Sequence, residues 1–457
     1  MSQHCIDLYN IKRLSKNAIL FASLSLCLFQ GLYAAQTTAS ESTANNAAEE
    51  QTISSKPITL SLPKAQSIDL EKPVVEPKTE PASGPDTGSI PAIEPATATT
   101  PLILLGNQVL PGTSTRLAWS PSQSFEGIAS PTPVLVVNGA TSGPTLCLTA
   151  AVHGDELNGI ETVRRVMYAL EAETLKGTVI GVPIVNLQGF HRSSRYLPDR
   201  RDLNRFFPGN PQGSSAARIA YSFFREVISH CDALVDLHTG SFHRVNLPQL
   251  RADLTQPDVV KLTQGFGATA VLHSVGATGT LRRAATDNGI PAVTLEAGGS
   301  THLEEDAVSH GVKGIQTLLA SLKMAKKTSL WGAPEPVYYQ SVWVRTDRGG
   351  ILFSKVKLGK RVKEDELLGT VTNPITNVRS EIRAPYAGRI LGMAVNQVVQ
   401  PGFAAYRIGI QKTEDEVSDP QQPLPINPEL ESDLDSPDLA LQNKLPSFTK
   451  QPNMRSE

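Results

Sequence analysis

The sequence carries no surplus of charge: 42 Lys and Arg stand against 44 Asp and Glu, a net −2. That balance gives no argument for nucleic acid or an anionic membrane surface as partner. The apolar run near the N-terminus, AILFASLSLCLF, is about a dozen residues, short of the ~20 that a spanning helix needs. Cysteine is scarce, with four in 457 residues, which excludes a disulfide framework.

What stands around the apolar run is more informative. Lys12, Arg13 and Lys16 precede it and the small residues Ala34 and Ala35 follow it. This is the order of a secretory signal peptide, residues 1–35, and the expected location is periplasmic or secreted, with no stable membrane span after cleavage. Leu32 or Tyr33 at the minus-three position departs from the small residue expected there. An uncleaved anchor is the alternative; lipidation at Cys27 is weaker because Leu26 is bulky. Cys5 and Cys27 would leave with the signal. Cys147 and Cys231 remain on apolar, strand-like segments, where buried free thiols and a bridge are both open readings.

Composition divides the rest. Residues 36–100, rich in Ala, Thr, Pro, Glu and Ser, show no periodic apolar face and read as a disordered linker. Residues 412–457 are acidic and Pro-containing and read as a disordered tail. Between them lie an α/β stretch, 101–332, and a Gly-punctuated β stretch, 333–411.

TLCLTAAV (145–152) is a continuous apolar run of strand length, as in a strand buried on both faces. Ile160, Val163, Met167 and Leu170 then fall at helical spacing, with Asp155 or Asn158 as the expected cap and Gly177 as the stop. TVIGVPIVN, ALVDLHTG, ATAVLHS and AVTLEAGG read as further strands; SAARIAYSFFREVIS and the stretches near 280–288 and 303–323 read as helices. The alternation predicts a mixed or parallel sheet flanked by helices, with functional groups at the carboxyl ends of its strands.

Three strand ends carry chemistry. His153 and Glu156 follow the first strand, His238 ends ALVDLHTG and Glu296 ends AVTLEAGG. His153-x-x-Glu156 is a short chelating pair, and His238 a distant third ligand, the pattern of a catalytic zinc with a position left for water. Glu296 is the candidate general base. Against this, H-x-x-E is common by chance, and a strand-end His is often simply hydrogen-bonded in place.

HGDELNG (153–159), RDLNRFFPG (201–209), DLHTG (236–240) and TLEAGG (294–299) together resemble the succinylglutamate desuccinylase/aspartoacylase family, a branch of the zinc carboxypeptidase fold. The resemblance covers about residues 130–320. It implies one zinc per chain, held by His153, Glu156 and His238, with Glu296 as the catalytic glutamate. It also implies that Asn204 and Arg205 face the substrate, and that Arg195 matches a second arginine that steadies an oxyanion or grips a carboxylate. Asp202 and Asp236 read either as partners that orient a ligand imidazole or as turn caps. His243 and Arg244 read as pocket lining or surface loop. Arg200 and Arg201 read as solvated, and His191, His230, His273, His302 and His310 as structural or exposed.

In the β stretch, GGILFSKVKLGKRVKEDELLGTV and AGRILGMAVNQVVQPGFAAYRIG are two versions of one half-motif, with Val362 matching Val399, Leu367 matching Ala404 and Val371 matching Ile408. Such halves resemble the biotinyl/lipoyl carrier fold, a flattened barrel-sandwich. A carrier needs a Lys on the hairpin between halves, yet none occurs between Lys363 and Lys412, which excludes swinging-arm transfer.

Three functions follow. The first is an exported zinc amidohydrolase acting on an N-acyl amino acid or a carboxylate-ended peptide. The second is a periplasmic carboxypeptidase for cell-wall peptides. The third is a non-catalytic zinc-binding or scaffold protein, against which Glu296 and Arg205 argue. No feature sets the oligomeric state.

Overall fold

The computed structural model describes residues 101–121, 130–326, 331 and 335–411. The expected signal peptide, linker and tail lie outside the described residues. The first ten strands are β1 (Leu102–Leu104), β2 (Asn107–Val109), β3 (Thr113–Trp119), β4 (Thr132–Asn138), β5 (Thr141–Ala150), β6 (Lys176–Val182), β7 (Ala233–Gly240), β8 (Arg244–Ala252), β9 (Ala270–His273) and β10 (Ala292–Gly299). The helices are α1 (Leu157–Ala169), α2 (Leu187–Phe190), α3 (Ser215–Glu226), α4 (Pro257–Gln264), α5 (Leu281–Asp287) and α6 (Glu305–Ser321).

The fold is a mixed sheet flanked by helices, as the alternation predicts. β6, β5, β7 and β10 lie side by side and parallel. Every residue of β7 and β10 is buried, which explains their unbroken apolar runs: both faces are covered. One apolar cluster packs α3 and α5 on one face through Phe223, Ile219 and Leu281. Another packs α1, α4 and α6 on the other through Val163, Leu262 and Leu318. Among the described residues no helix is long and apolar enough to cross a membrane.

The structure departs from the sequence reading in three places. Helix α1 ends at Ala169 rather than near Gly177; Gly177 instead lies in β6, against the Pro144 backbone. The cap of α1 is Glu156, whose side chain makes no capping bond because it is engaged elsewhere. β8 was not foreseen: Pro248 interrupts its pattern, yet it runs antiparallel to β10 and parallel to β9. Cys147, on β5, and Cys231, just before β7, form a disulfide between residues 84 apart in sequence.

The C-terminal part consists of β11 (Val337–Tyr338), β12 (Gln340–Arg345), β13 (Gly350–Ser354), β14 (Arg361–Val362), β15 (Leu367–Thr372), β16 (Arg379–Arg383), β17 (Gly388–Ala394), β18 (Val398–Val399) and β19 (Ala404–Ile410). Its pairings are reciprocal. β13 pairs β15 as β17 pairs β19; β14 pairs β17 as β18 pairs β13; β15 pairs β16 as β19 pairs β12. The sequence repeat is thus a two-fold structural repeat around Leu352, Leu368, Ile390, Tyr406 and Ile408. This β module is not a separate bead. β17 pairs β8, and β11 pairs β9, so the sheet of the α/β part continues directly into it.

Candidate metal centre and active site

The chain AAVHGDELNGIE turns at Ala151 and runs close over α2. A Cβ on Gly154 would lie 2.1 Å from the Gly189 backbone carbon, so only glycine fits between His153 and Asp155. The turn sets His153 and Glu156 beside the end of β7. There His238 is the parallel register partner of Glu296 on β10. Asn158 holds the assembly together, donating to the Ala297 carbonyl and accepting from the Glu304 N–H.

His153, Glu156 and His238 are buried, and their donor atoms lie within 4.8 Å of one another. The Nδ1 atoms of the two imidazoles are 3.2 Å apart, each 2.8 Å from one oxygen of Glu156. The opposite ring nitrogens are committed: His153 Nε2 lies 3.1 Å from Asp202 and His238 Nε2 2.8 Å from Asp236. Each imidazole thus has a carboxylate beside both ring nitrogens. With a cation held among Glu156 and the two Nδ1 atoms, the protons would sit on Nε2, facing Asp202 and Asp236, and both Nδ1 lone pairs would face the cation. Two imidazole nitrogens and one carboxylate, each imidazole oriented by a further carboxylate, fit a zinc-type ion. Asp202 does both things the sequence left open: it orients His153 and also accepts from the Asn204 N–H. Asp236 orients His238 and takes a second bond from the Thr149 hydroxyl.

Burial opposes charge on Glu156 and Asp202, yet both carboxyls are held below the ordinary range. His153 and His238 outweigh the burial at Glu156; His153 and Arg195 do so at Asp202. Burial likewise opposes charge on the imidazoles, and the surrounding carboxylates still raise both, His238 the more strongly. Arg195 is buried, bonding Glu156 at 3.3 Å and Asp202 at 3.0 Å.

The structure brings all seven expected residues to one pocket: His153, Glu156, His238, Arg195, Asn204, Arg205 and Glu296. The Asn204 side-chain carbonyl accepts from the Leu281 N–H at the start of α5, and the Arg205 guanidinium bonds the Asn204 backbone carbonyl. His243 and Arg244 do not line the pocket. Arg244 turns into the β module, where it lies over the Trp343 and Phe403 rings and donates to the Ala404 carbonyl. Arg200 and Arg201 are exposed, and the other five histidines stand outside the pocket. Sequence reasoning missed Arg251 and Asn246, the two β8 residues that bond Glu296. Their only signal was an alternation that Pro248 obscures.

Residues 142–322 match the model of the succinylglutamate desuccinylase/aspartoacylase catalytic domain. Over these residues the chain is similar to the succinylglutamate desuccinylase/aspartoacylase family. It is a family of deacylases that act on amide bonds. A curated relative, N-alpha-acetyl-L-2,4-diaminobutyric acid deacetylase of Halomonas elongata, is 29% identical over 252 residues, 52% of this chain and 73% of the relative. Among solved structures, the product-bound ectoine utilization protein EutE (DoeB) from Ruegeria pomeroyi superposes with a TM-score of 0.61 at 24% identity, covering 70% of this chain and 100% of the other. A succinylglutamate desuccinylase from Silicibacter sp. TM1040 gives 0.59 at 24% identity, covering 70% and 99%. At these identities the two structures establish the shared fold.

Proposed function

We propose that the chain is an exported, zinc-dependent amidohydrolase that cleaves the amide bond of an N-acyl amino acid or of a carboxylate-ended peptide. The observation that carries this reading is a single pocket holding the His153–Glu156–His238 donor set, the Glu296 carboxylate and the Arg195 and Arg205 guanidiniums. A zinc ion held by the three donors would supply Lewis acidity, drawing charge from the scissile carbonyl and making water more acidic.

The chain's own groups do the rest. Glu296 takes a proton from water as its oxygen bonds the carbonyl carbon, then returns that proton to the leaving nitrogen as the C–N bond breaks. An acid and an amine result. Arg195, locked beside Glu156, offers N–H groups to the oxyanion that develops. Arg205 and Asn204, across the pocket, grip the substrate carboxylate, with the planar fork that Lys lacks. Four arginines, Arg195, Arg205, Arg251 and Arg282, line the pocket with only two carboxylates, Glu156 and Glu296, and this supports an anionic substrate. The relative's activity on an N-acetyl amino acid supports a deacylase in particular. The Cys147–Cys231 bridge supports export, because such bonds persist in oxidising compartments.

The test joins metal content to turnover. The purified protein is assayed for amine release from N-acetyl and N-succinyl amino acids and from short cell-wall peptides, before and after chelation and zinc restoration. One zinc per chain with chelator-sensitive release from an N-acyl amino acid is the expected result. Release from the peptides alone would replace the deacylase by a cell-wall carboxypeptidase. Stoichiometric zinc without any turnover would favour the binding-protein reading.

A further inference from the structure

We infer that Asn246 is a positioning residue for Glu296, and that the C-terminal β module holds it in place through Gly392. This rests on the proposed role of Glu296 as the proton carrier.

Glu296 is held from β8. The buried Asn246 side chain donates from Nδ2 to Glu296 Oε2 at 2.9 Å, while Arg251 Nη1 lies 3.2 Å from Oε1. Asn246 lies between two irregular ladders. Towards β10 the register slips between Glu296 and Gly298, so that Asn246 stands opposite Gly298 and can reach the carboxylate. Towards the β module it stands opposite Gly392 of β17, where the β17–β19 ladder also slips, between Ile390 and Gly392. A Cβ on Gly392 would lie 2.7 Å from Asn246 Oδ1, closer than such atoms come in real contacts. The bare backbone of the module therefore forms the wall against which the Asn246 amide is set, and that amide sets one oxygen of Glu296. Further along β8, Gln249 also meets β17, donating to the Leu391 carbonyl at 3.1 Å.

The module touches the site a second time. His243 accepts at its carbonyl from the Val395 N–H and from Gln397 Nε2. Phe242 and His243 are both left-handed, with φ of 54° and 57°, a costly conformation for such side chains. Phe242 places its ring 5.6 Å from the Arg195 guanidinium carbon. Glu296 is thus one residue removed from the β module, through Asn246, and Arg195 two, through Phe242 and His243.

The test uses the full chain and the substrate it hydrolyses fastest. Asn246→Ala should lower kcat by about ten- to a hundredfold, the effect of losing a hydrogen bond to a charged group, with KM within about twofold and bound metal unchanged. Gly392→Ala, which removes no site group, should lower kcat by about three- to tenfold by displacing the amide. Each change is repeated in a Glu296→Gln background. If both act through Glu296, neither lowers the residual turnover further; a merely structural defect would lower it by the same factor as before. Gly392→Ala decides the matter should Asn246→Ala fail to fold. Wild-type kcat in both single variants, or equal losses in both backgrounds, would overturn the inference. Full activity in Glu296→Gln alone would instead remove the proton-carrier role on which it stands.

Discussion

In the catalytic sheet, β5, β7 and β10 run parallel and their carboxyl ends converge, so His153, His238 and Glu296 meet although 85 and 58 positions separate successive members. In the β module the strands pair with one another antiparallel, in a two-fold repeat. One architecture gathers side chains at a point; the other builds a wall. Among the described residues the module contributes none to the pocket, yet it pairs with β8, whose side chains hold Glu296. Chemistry and support are thus divided between the parallel strands of the mixed sheet and the module, whose β12, β19 and β17 continue that sheet while β13, β15, β16 and β18 form a second one.

The largest predicted effect lies on the converging side. His238→Ala should abolish both metal binding and turnover, measured as zinc per chain and amine release; retained stoichiometric zinc would break the assignment of a metal centre to the strand ends. Asp236→Asn should be milder, costing about 10- to 100-fold in metal affinity or activity, because it only loosens the His238 imidazole. A zinc titration with a competing chelator reads this, and an unchanged affinity would make Asp236 a packing residue.

On the wall side the effect should be stability rather than chemistry. Arg244→Ala removes a guanidinium held over two aromatic rings and bonded to the Ala404 carbonyl, and should cost about 1–3 kcal/mol in denaturant unfolding. If the metal content of the folded variant fell instead, the division between chemistry and support would be wrong.

The smallest effect concerns His310 on α6, which packs edge-on against Trp331 and bonds Thr269. Burial lowers its pKa from 6.5 to about 4. As pH falls, the unfolded chain binds this proton first, so the stability contributed is complete above pH 6.5 and declines towards pH 4. His310→Phe should flatten unfolding stability over that window, and an unchanged slope would assign the acid sensitivity elsewhere.

Most of the site was legible because its residues lie at strand ends. A continuous apolar run that stops in His-Gly-Asp-Glu is visible in one dimension, and the alternation of elements tells which ends share an edge. The repeat of the β module was legible for a similar reason: Val362 and Val399, or Val371 and Ile408, fill equivalent inward positions of the two halves. β8 was not. Pro248 breaks its pattern, and nothing local says that an antiparallel strand is inserted beside β10. Arg251 and Asn246 were hidden with it, and Arg244 was left open between pocket lining and surface loop because sequence proximity to His238 says nothing about which way a side chain turns.

By itself the sequence determined the donor types, the strand-end placement and the doubling of the C-terminal half, because hydrophobic period and residue chemistry are local properties. Only the tertiary structure decided that Nδ1 rather than Nε2 faces the shared carboxylate, that Cys147 meets Cys231, and that Gly392 stands behind Asn246. Each of these is a contact between residues 82 to 146 positions apart. Such contacts depend on register and packing, which come into being only when the strands are laid side by side.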